Sequence, residues 1–129
     1  MIFSIPSGKR YGMKIKPLKR SGEYKSRVKS YAQGLAERYR VEISDLFLSR
    51  VEGAEALLTD NNMAGTVAPY LLAGQHVVLR ELYFDSGPVM YCLIYEITDD
   101  YLGLVSLWHG VGSRRAGTLI RLWDNKMKA

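Results

Sequence analysis

The chain has 129 residues, enough for one domain with one core, and 47% of them are hydrophobic, which excludes wholesale disorder. Its single cysteine, Cys92, excludes an intramolecular disulfide, and no Cys/His spacing suits a zinc site. The net charge of +5 is unevenly spread: residues 1–30 carry nine Lys or Arg against one acid, residues 31–108 four Arg against eleven acids, and residues 109–129 five basic residues against Asp124. If the two basic ends meet in the fold, they form one patch suited to RNA, a DNA–protein complex or an acidic partner chain; otherwise they are solubilising tails. The opening MIFSIPSGKR is too short and too soon charged for a signal peptide, and no apolar run approaches a membrane span. The expected compartment is therefore the cytoplasm, with no membrane partner.

Residues 1–10, broken by Pro6 and Gly8, read as a loose extension, and residues 11–129 as one domain. From Tyr11 to Leu18, Tyr11, Met13 and Ile15 alternate with Gly12, Lys14 and Lys16, which predicts a strand with one buried and one basic face, ended or placed at a sheet edge by Pro17. Ser21-Gly22 opens a helix with Glu23 at its positive end. Tyr24, Val28, Tyr31, Ala32 and Leu35 give the spacing of an amphipathic helix to Glu37, with Lys25, Arg27 and Lys29 on its other face. Residues 38–43 fit either a short strand or the start of a second helix. The helix reading gives a turn near Arg38–Arg40, then a helix to about Leu58 with Ile43, Phe47, Val51, Ala54 and Leu58 on one stripe. Two such helices form an antiparallel hairpin whose apolar face must cover a sheet.

Asp60-Asn61-Asn62 stops the second helix. Met63 to Gln75 reads as a loop, with one turn of helix at Pro69–Ala73. His76 to Gly110 holds three apolar runs broken by Asp85-Ser86-Gly87-Pro88 and Thr98-Asp99-Asp100, the pattern of strands joined by hairpins. The middle run, Val89 to Ile97, is apolar on both faces apart from Glu96, which predicts a central strand covered on both sides. Thr118 to Trp123 reads as a short final helix with Leu119, Leu122 and Trp123 packing back. The fold class is thus α+β: an N-terminal strand, an antiparallel helical hairpin packed on a sheet completed by a three-stranded antiparallel meander, and a short C-terminal helix.

Four features in this order resemble the RelE/ParE superfamily of bacterial toxins from type II toxin–antitoxin systems, which includes ParE-like plasmid stabilization proteins. They are the sequence of strand, helical hairpin and meander; the helix end ALLTDNNMAG (Ala56 to Gly65); LREL (Leu79 to Leu82) followed by YCLIYEI (Tyr91 to Ile97); and VSLWHG (Val105 to Gly110) with a basic pair downstream. Together they cover about residues 11 to 115. The resemblance implies a small basic toxin that inhibits growth until a cognate antitoxin wraps it, as a homodimer or as a heterotetramer with that antitoxin, and it implies no cofactor. In the RelE branch, basic residues and often a Tyr cut mRNA on the ribosome without a metal. In the ParE branch, the target is DNA gyrase.

Cleavage by 2′-hydroxyl attack needs cations at the phosphate and groups that move protons. The candidates are Arg80, His109, Arg114 and Arg115. The nuclease branch carries an Arg after the first Tyr of the central strand, where this chain has Cys92; Glu81 follows Arg80 where a nuclease prefers Lys or Arg; and no Tyr lies after Tyr101. These departures favour a ParE-like action, with a ribosome-dependent mRNA endonuclease or a non-toxic RNA-binding member as alternatives. Arg80, Arg114, Arg115, Trp123, Lys25 and Lys29 are the candidate contacts to antitoxin, gyrase, ribosome or mRNA. The plainer readings are that Arg80 is a rim residue paired with an acid such as Glu96, that His109 is a structural hydrogen-bonding residue, and that Lys25 and Lys29 form a solvated face. Tyr91 and Tyr95 share a face of the central strand and read as core, Cys92 as a small buried hydrophobe, and Trp108 and Trp123 as anchors of the C-terminal segment.

Overall fold

The structure is a computed structural model and describes residues 15–110, 115–116 and 119–122. The elements in chain order are β1 (Leu18–Arg20), α1 (Gly22–Arg38), α2 (Val41–Asp60), β2 (Thr66–Leu72), β3 (Gln75–Ser86), β4 (Val89–Ile97), β5 (Leu102–His109), β6 (Arg115–Ala116) and β7 (Leu119–Arg121). The seven strands among the described residues form one sheet in the order β1-β5-β4-β3-β2-β7-β6. All neighbours are antiparallel except β1, which lies parallel to β5 with Leu18 opposite Leu102. The α+β class holds, with both helices on one face of the sheet.

The helical hairpin forms as its periodicity requires. Ser21 caps α1: its Oγ accepts the Tyr24 N–H at 2.9 Å and donates to the Val105 carbonyl at 2.7 Å. One hydroxyl therefore starts the helix and fastens it to the sheet. Tyr24, Ala32, Phe47, Val51, Ala54 and Leu58 are buried against Leu82, Tyr91, Leu93, Tyr95, Leu102, Leu104 and Leu107, with Val28, Tyr31 and Leu35 packed beside them. Residues 41–43 belong to α2, so of the two readings open there, the helix is the one the chain adopts. A second cluster lies on the other sheet face: Ala68, Tyr70, Leu79, Cys92, Ile94, Trp108 and Leu119.

The three runs of the meander are strands, and Tyr91 to Tyr95 are buried without a break. Two regions differ from expectation. Thr66–Leu72 is a full strand, not a loop with a helical turn: it pairs along its length with β3 through the two-residue turn Ala73-Gly74, whose φ values of 51° and 82° mark a primed hairpin turn. Pro69 sits within this strand with its carbonyl turned to β7, where it accepts from Leu122 N at 3.0 Å. The proposed C-terminal helix over Thr118–Trp123 is also a strand in its described part, with Leu119, Ile120 and Arg121 opposite Leu72, Leu71 and Tyr70. Pairing with β2 supplies the backbone partners that a two-turn helix would have found internally. Strand β1 begins after Pro17, at Leu18; Tyr11 to Lys14, where that strand was expected to start, lie outside the described residues, as does the extension 1–10.

The β5 edge is closed by α1. Beyond β1, the Val105 and Leu107 carbonyls accept from Ser21 Oγ and from the Tyr31 hydroxyl at 3.4 Å. A register shift at Ile94/Tyr95 leaves Val105 without a β4 partner. At the other end of the helical layer, the Tyr95 hydroxyl donates to the Asn62 carbonyl at 2.7 Å and accepts Gly65 N–H at 2.9 Å, tying the α2–β2 turn to the sheet. A Cβ at residue 65 would sit 2.7 Å from Tyr95 Cε1 and 2.8 Å from the Glu81 carbonyl oxygen. Gly65→Ala is therefore expected to destabilise by about 1–3 kcal/mol. Gly53→Ala, in open space within α2, is expected to stabilise by up to about 1 kcal/mol. Paired urea unfolding curves check both signs.

Candidate functional site

His109 ends β5 opposite Tyr91 and is exposed. Its ring lies 5.6 Å from that of Tyr91 and 6.2 Å from that of Tyr31, while Tyr91 in turn packs on Phe47 at 4.9 Å and Phe84 at 5.7 Å. Burial, aided by the neighbouring Tyr31, pushes the Tyr91 hydroxyl above its ordinary value, against the pull of Arg38. Tyr91 therefore remains a neutral phenol at physiological pH and serves as core, as its face on the strand predicts.

Arg80 sits in the middle of β3, opposite Val67 on β2 and Tyr95 on β4. The pairing with Glu96 does not form. Arg80 is in register with Tyr95, and the next residue along a strand points to the opposite face. The Arg80 Nε is buried and has no hydrogen-bond partner among the described residues. Arg80 and His109 are not brought together: His109 aligns with Tyr91 and Phe84, four residues along β3 from Arg80 and two strands across. Strand spacing puts them roughly 13 Å apart along the strands and about 10 Å across them. Cys92 is fully buried in the second cluster, on the face away from His109. Arg114 and Trp123 lie outside the described residues; Arg115 opens β6 opposite Ile120, its side chain outside them too.

Lys25 and Lys29 are exposed on α1, at the rim of a groove of about 400 Å³ between the helices whose lining includes Val28, Ala32 and Leu48. At the end of that groove lies a network that sequence reading missed. Glu55, 9% exposed, accepts from Arg20 Nη2 at 2.5 Å, from Arg20 Nε at 3.2 Å and from the Tyr24 hydroxyl at 2.7 Å. Burial, then the hydrogen bond to Glu55, raises the Tyr24 hydroxyl far above its ordinary value and keeps it a donor. A signal existed: Glu55 falls on the same stripe as Val51 and Leu58, where a lone acid demands a partner.

A second missed network lies on the other sheet face. Glu81, 4% exposed, accepts from the Tyr70 hydroxyl and Arg121 Nε, each at 2.7 Å, and from the Tyr83 hydroxyl at 3.0 Å. Burial pushes the carboxyl up, but the hydrogen bonds from Tyr70, Arg121 and Tyr83 outweigh it and hold Glu81 below the usual range. The position marked as ill-suited to a nuclease is thus a structural carboxylate that fastens β7.

The basic ends do not meet in their described parts: β1 and β7 are separated by four strands. Among the described residues, no group of three or more His, Cys, Asp or Glu could hold a metal ion, and no helix is long and apolar enough to cross a membrane.

No family model and no curated protein sequence matches this chain. Among solved structures, it is similar to a chain of the chromosomal ParDE TA system from P. aeruginosa, with 10% identity, a TM-score of 0.59, and coverage of 75% of this chain and 98% of that one. At that identity the likeness is one of fold.

The Glu81 network sets a pH dependence. Its folded pKa lies below the unfolded value of about 4.3, so its contribution is complete above that value and is lost as pH falls through the folded pKa. Glu81→Gln is expected to lose about 1–3 kcal/mol at pH 7. The gap from the parent protein should shrink in acid below pH about 4, a trend read from thermal melts across pH.

Proposed function

We propose that this chain is the toxin of a type II toxin–antitoxin pair, that it arrests growth by a ParE-like action on DNA gyrase, and that a cognate antitoxin neutralises it. The observation that carries the reading is the fold likeness to nearly the whole of a ParDE chain, joined to the ordered motifs that resemble the RelE/ParE superfamily. Fold alone does not assign an activity. The choice of branch rests on the side chains: cleavage at one phosphate needs its cations and proton carriers within a few ångströms of each other. Arg80 and His109 are too far apart for that, and Cys92 is buried on the opposite face. A nuclease reading keeps one supporting observation, the exposed His109 ring beside Tyr31 at the end of β5.

Induced expression should stop growth. Co-expression of an adjacent small open reading frame that encodes a DNA-binding domain and an amphipathic tail should restore it. Purified protein should block supercoiling by gyrase, with no new mRNA 5′ ends after induction. His109→Ala should leave the arrest intact; under the nuclease reading it would weaken the effect by about 100-fold or more. New mRNA ends with untouched supercoiling would replace this function with the nuclease, and growth unaffected by expression would remove the toxin reading altogether.

A further inference from the structure

Where the α1–α2 turn meets the β3–β4 hairpin, the molecule holds a cavity of about 270 Å³. Its walls include Leu35 of α1, Ile43 and Leu46 of α2, and Ser86, Val89 and Tyr91 of the sheet, and no charged side chain lines it. Two hydroxyls do, and both belong to buried residues: Tyr91 is 2% exposed and Ser86 8%. The hydroxyls of the buried Tyr24, Tyr70 and Tyr95 all donate to a carboxylate or a carbonyl. Those of Tyr91 and Ser86 make no hydrogen bond among the described residues. The side-chain atoms both sealed from solvent and without a partner are Arg80 Nε and Trp108 Nε1, so these two hydroxyls keep an opening. The cavity is the space beside both of them.

One cation stands close by. The Arg38 guanidinium folds back over Gly34, where a Cβ would lie 2.8 Å from its Nη2. Burial raises the Tyr91 hydroxyl pKa, Tyr31 adds to this, and the Arg38 charge opposes it, so Arg38 acts across a short distance on that hydroxyl. Arg38 makes no ion pair among the described residues. Ligand pockets have this composition: apolar walls with a few placed polar groups that fix orientation.

We infer that the cavity binds a small organic acid, with its apolar body between Ile43, Leu46 and Val89 and its carboxylate accepting from the Tyr91 and Ser86 hydroxyls on the side of Arg38. The space has room for about ten non-hydrogen atoms at roughly 30 Å³ each, the size of an aryl or branched aliphatic acid. A nucleotide is too large for it. A neutral lipophile of the same shape would fill the walls but leave Arg38 without a counter-charge, whereas a carboxylate gains charge-assisted hydrogen bonds in a largely dry site. The inference goes beyond the function proposed above and does not depend on it, because binding is read on the isolated chain.

The test titrates the full, ¹⁵N-labelled chain with phenylacetate and with its neutral counterpart 2-phenylethanol, followed by two-dimensional NMR. Phenylacetate should shift the amides of Ile43, Leu46, Ser86 and Val89, with a Kd of about 1 mM or below. The alcohol should bind about tenfold more weakly. Arg38→Glu and Tyr91→Phe should each weaken phenylacetate binding by about tenfold. Leu46→Trp, at a position 41% exposed, should fill the cavity and abolish binding, while Lys19→Glu, at the far edge of the sheet, should change nothing. Because the Tyr91 hydroxyl is idle, Tyr91→Phe should leave the thermal melt in place; a marked fall would reveal a structural partner and overturn the inference. No shifts, shifts confined to the groove of Val28 and Leu48, equal affinity for acid and alcohol, or undiminished binding by Arg38→Glu and Leu46→Trp would each overturn it as well. A parent dimer that Leu46→Trp splits, with no response to either probe, would give the cavity to a second copy instead. None of these readouts involves growth arrest, so the toxin reading stands or falls separately.

Discussion

Tyr91 to Tyr95 form five consecutive buried residues on β4, and this constraint governs the rest of the structure. A strand buried on alternate residues needs one cover; a strand buried throughout needs two. The helical hairpin provides one, over Tyr91, Leu93 and Tyr95. The second is built from the same-face side chains of the neighbouring strands, with Tyr70, Leu79, Trp108 and Leu119 closing over Cys92 and Ile94. Each fully buried large side chain here contributes about 1.5–3 kcal/mol. Strand β7 belongs to this logic, because Leu119 reaches the second cluster only if the chain returns to pair with β2.

Electrostatics follows the same plan. The basic ends and acidic middle look in sequence like a charge asymmetry meant for partners, and part of it is spent inside the fold. Arg20 from β1 meets Glu55 on α2, and Arg121 from β7 meets Glu81 on β3. Each pair carries a tyrosine hydroxyl as an additional donor, Tyr24 and Tyr70. Losing either arginine leaves a buried carboxylate held only by tyrosine hydroxyls, a larger loss at Glu81, whose partner Arg121 is itself mostly buried, than at Glu55, whose partner Arg20 is 44% exposed. Replacing both partners by well-packed apolar residues is a much milder change. The two pairs are therefore best understood as specifying where the terminal strands dock.

Much of the fold was legible in the sequence because long periodic segments dominate it. The two helices, their turn and the three long strands follow from spacing and turn residues alone. Thr66–Leu72 was hidden by Pro69 and by its position before a turn, and its strand character comes from pairing with β3 on one side and β7 on the other. The run from Leu119 to Leu122 is too short for periodicity to separate a helical turn from a strand, so a tertiary edge decided it. At the candidate site, alternation correctly put Arg80 on the face of Leu82 and Phe84. It could not reveal that Glu96 points the other way, because that depends on register across the hairpin.

Register also bears on chemistry. In sequence, Arg80 and His109 fall within one meander as members of a single candidate set, with Cys92 between them standing where a nuclease carries an arginine. The pairing of β3 with β4 and of β4 with β5 spreads them: Arg80 beside Tyr95, His109 beside Tyr91, Cys92 facing the opposite cluster. Acid–base catalysis at a phosphate gains its rate from groups held in mutual reach, and that gain disappears over several strand spacings. Recognition of a protein surface carries no such requirement. It draws on area, shape and a few anchoring residues spread over many ångströms. On the helix-side face, His109 with its contacts to Tyr31 and Tyr91 and Arg80 beside Val67 and Tyr95 are separated in this way.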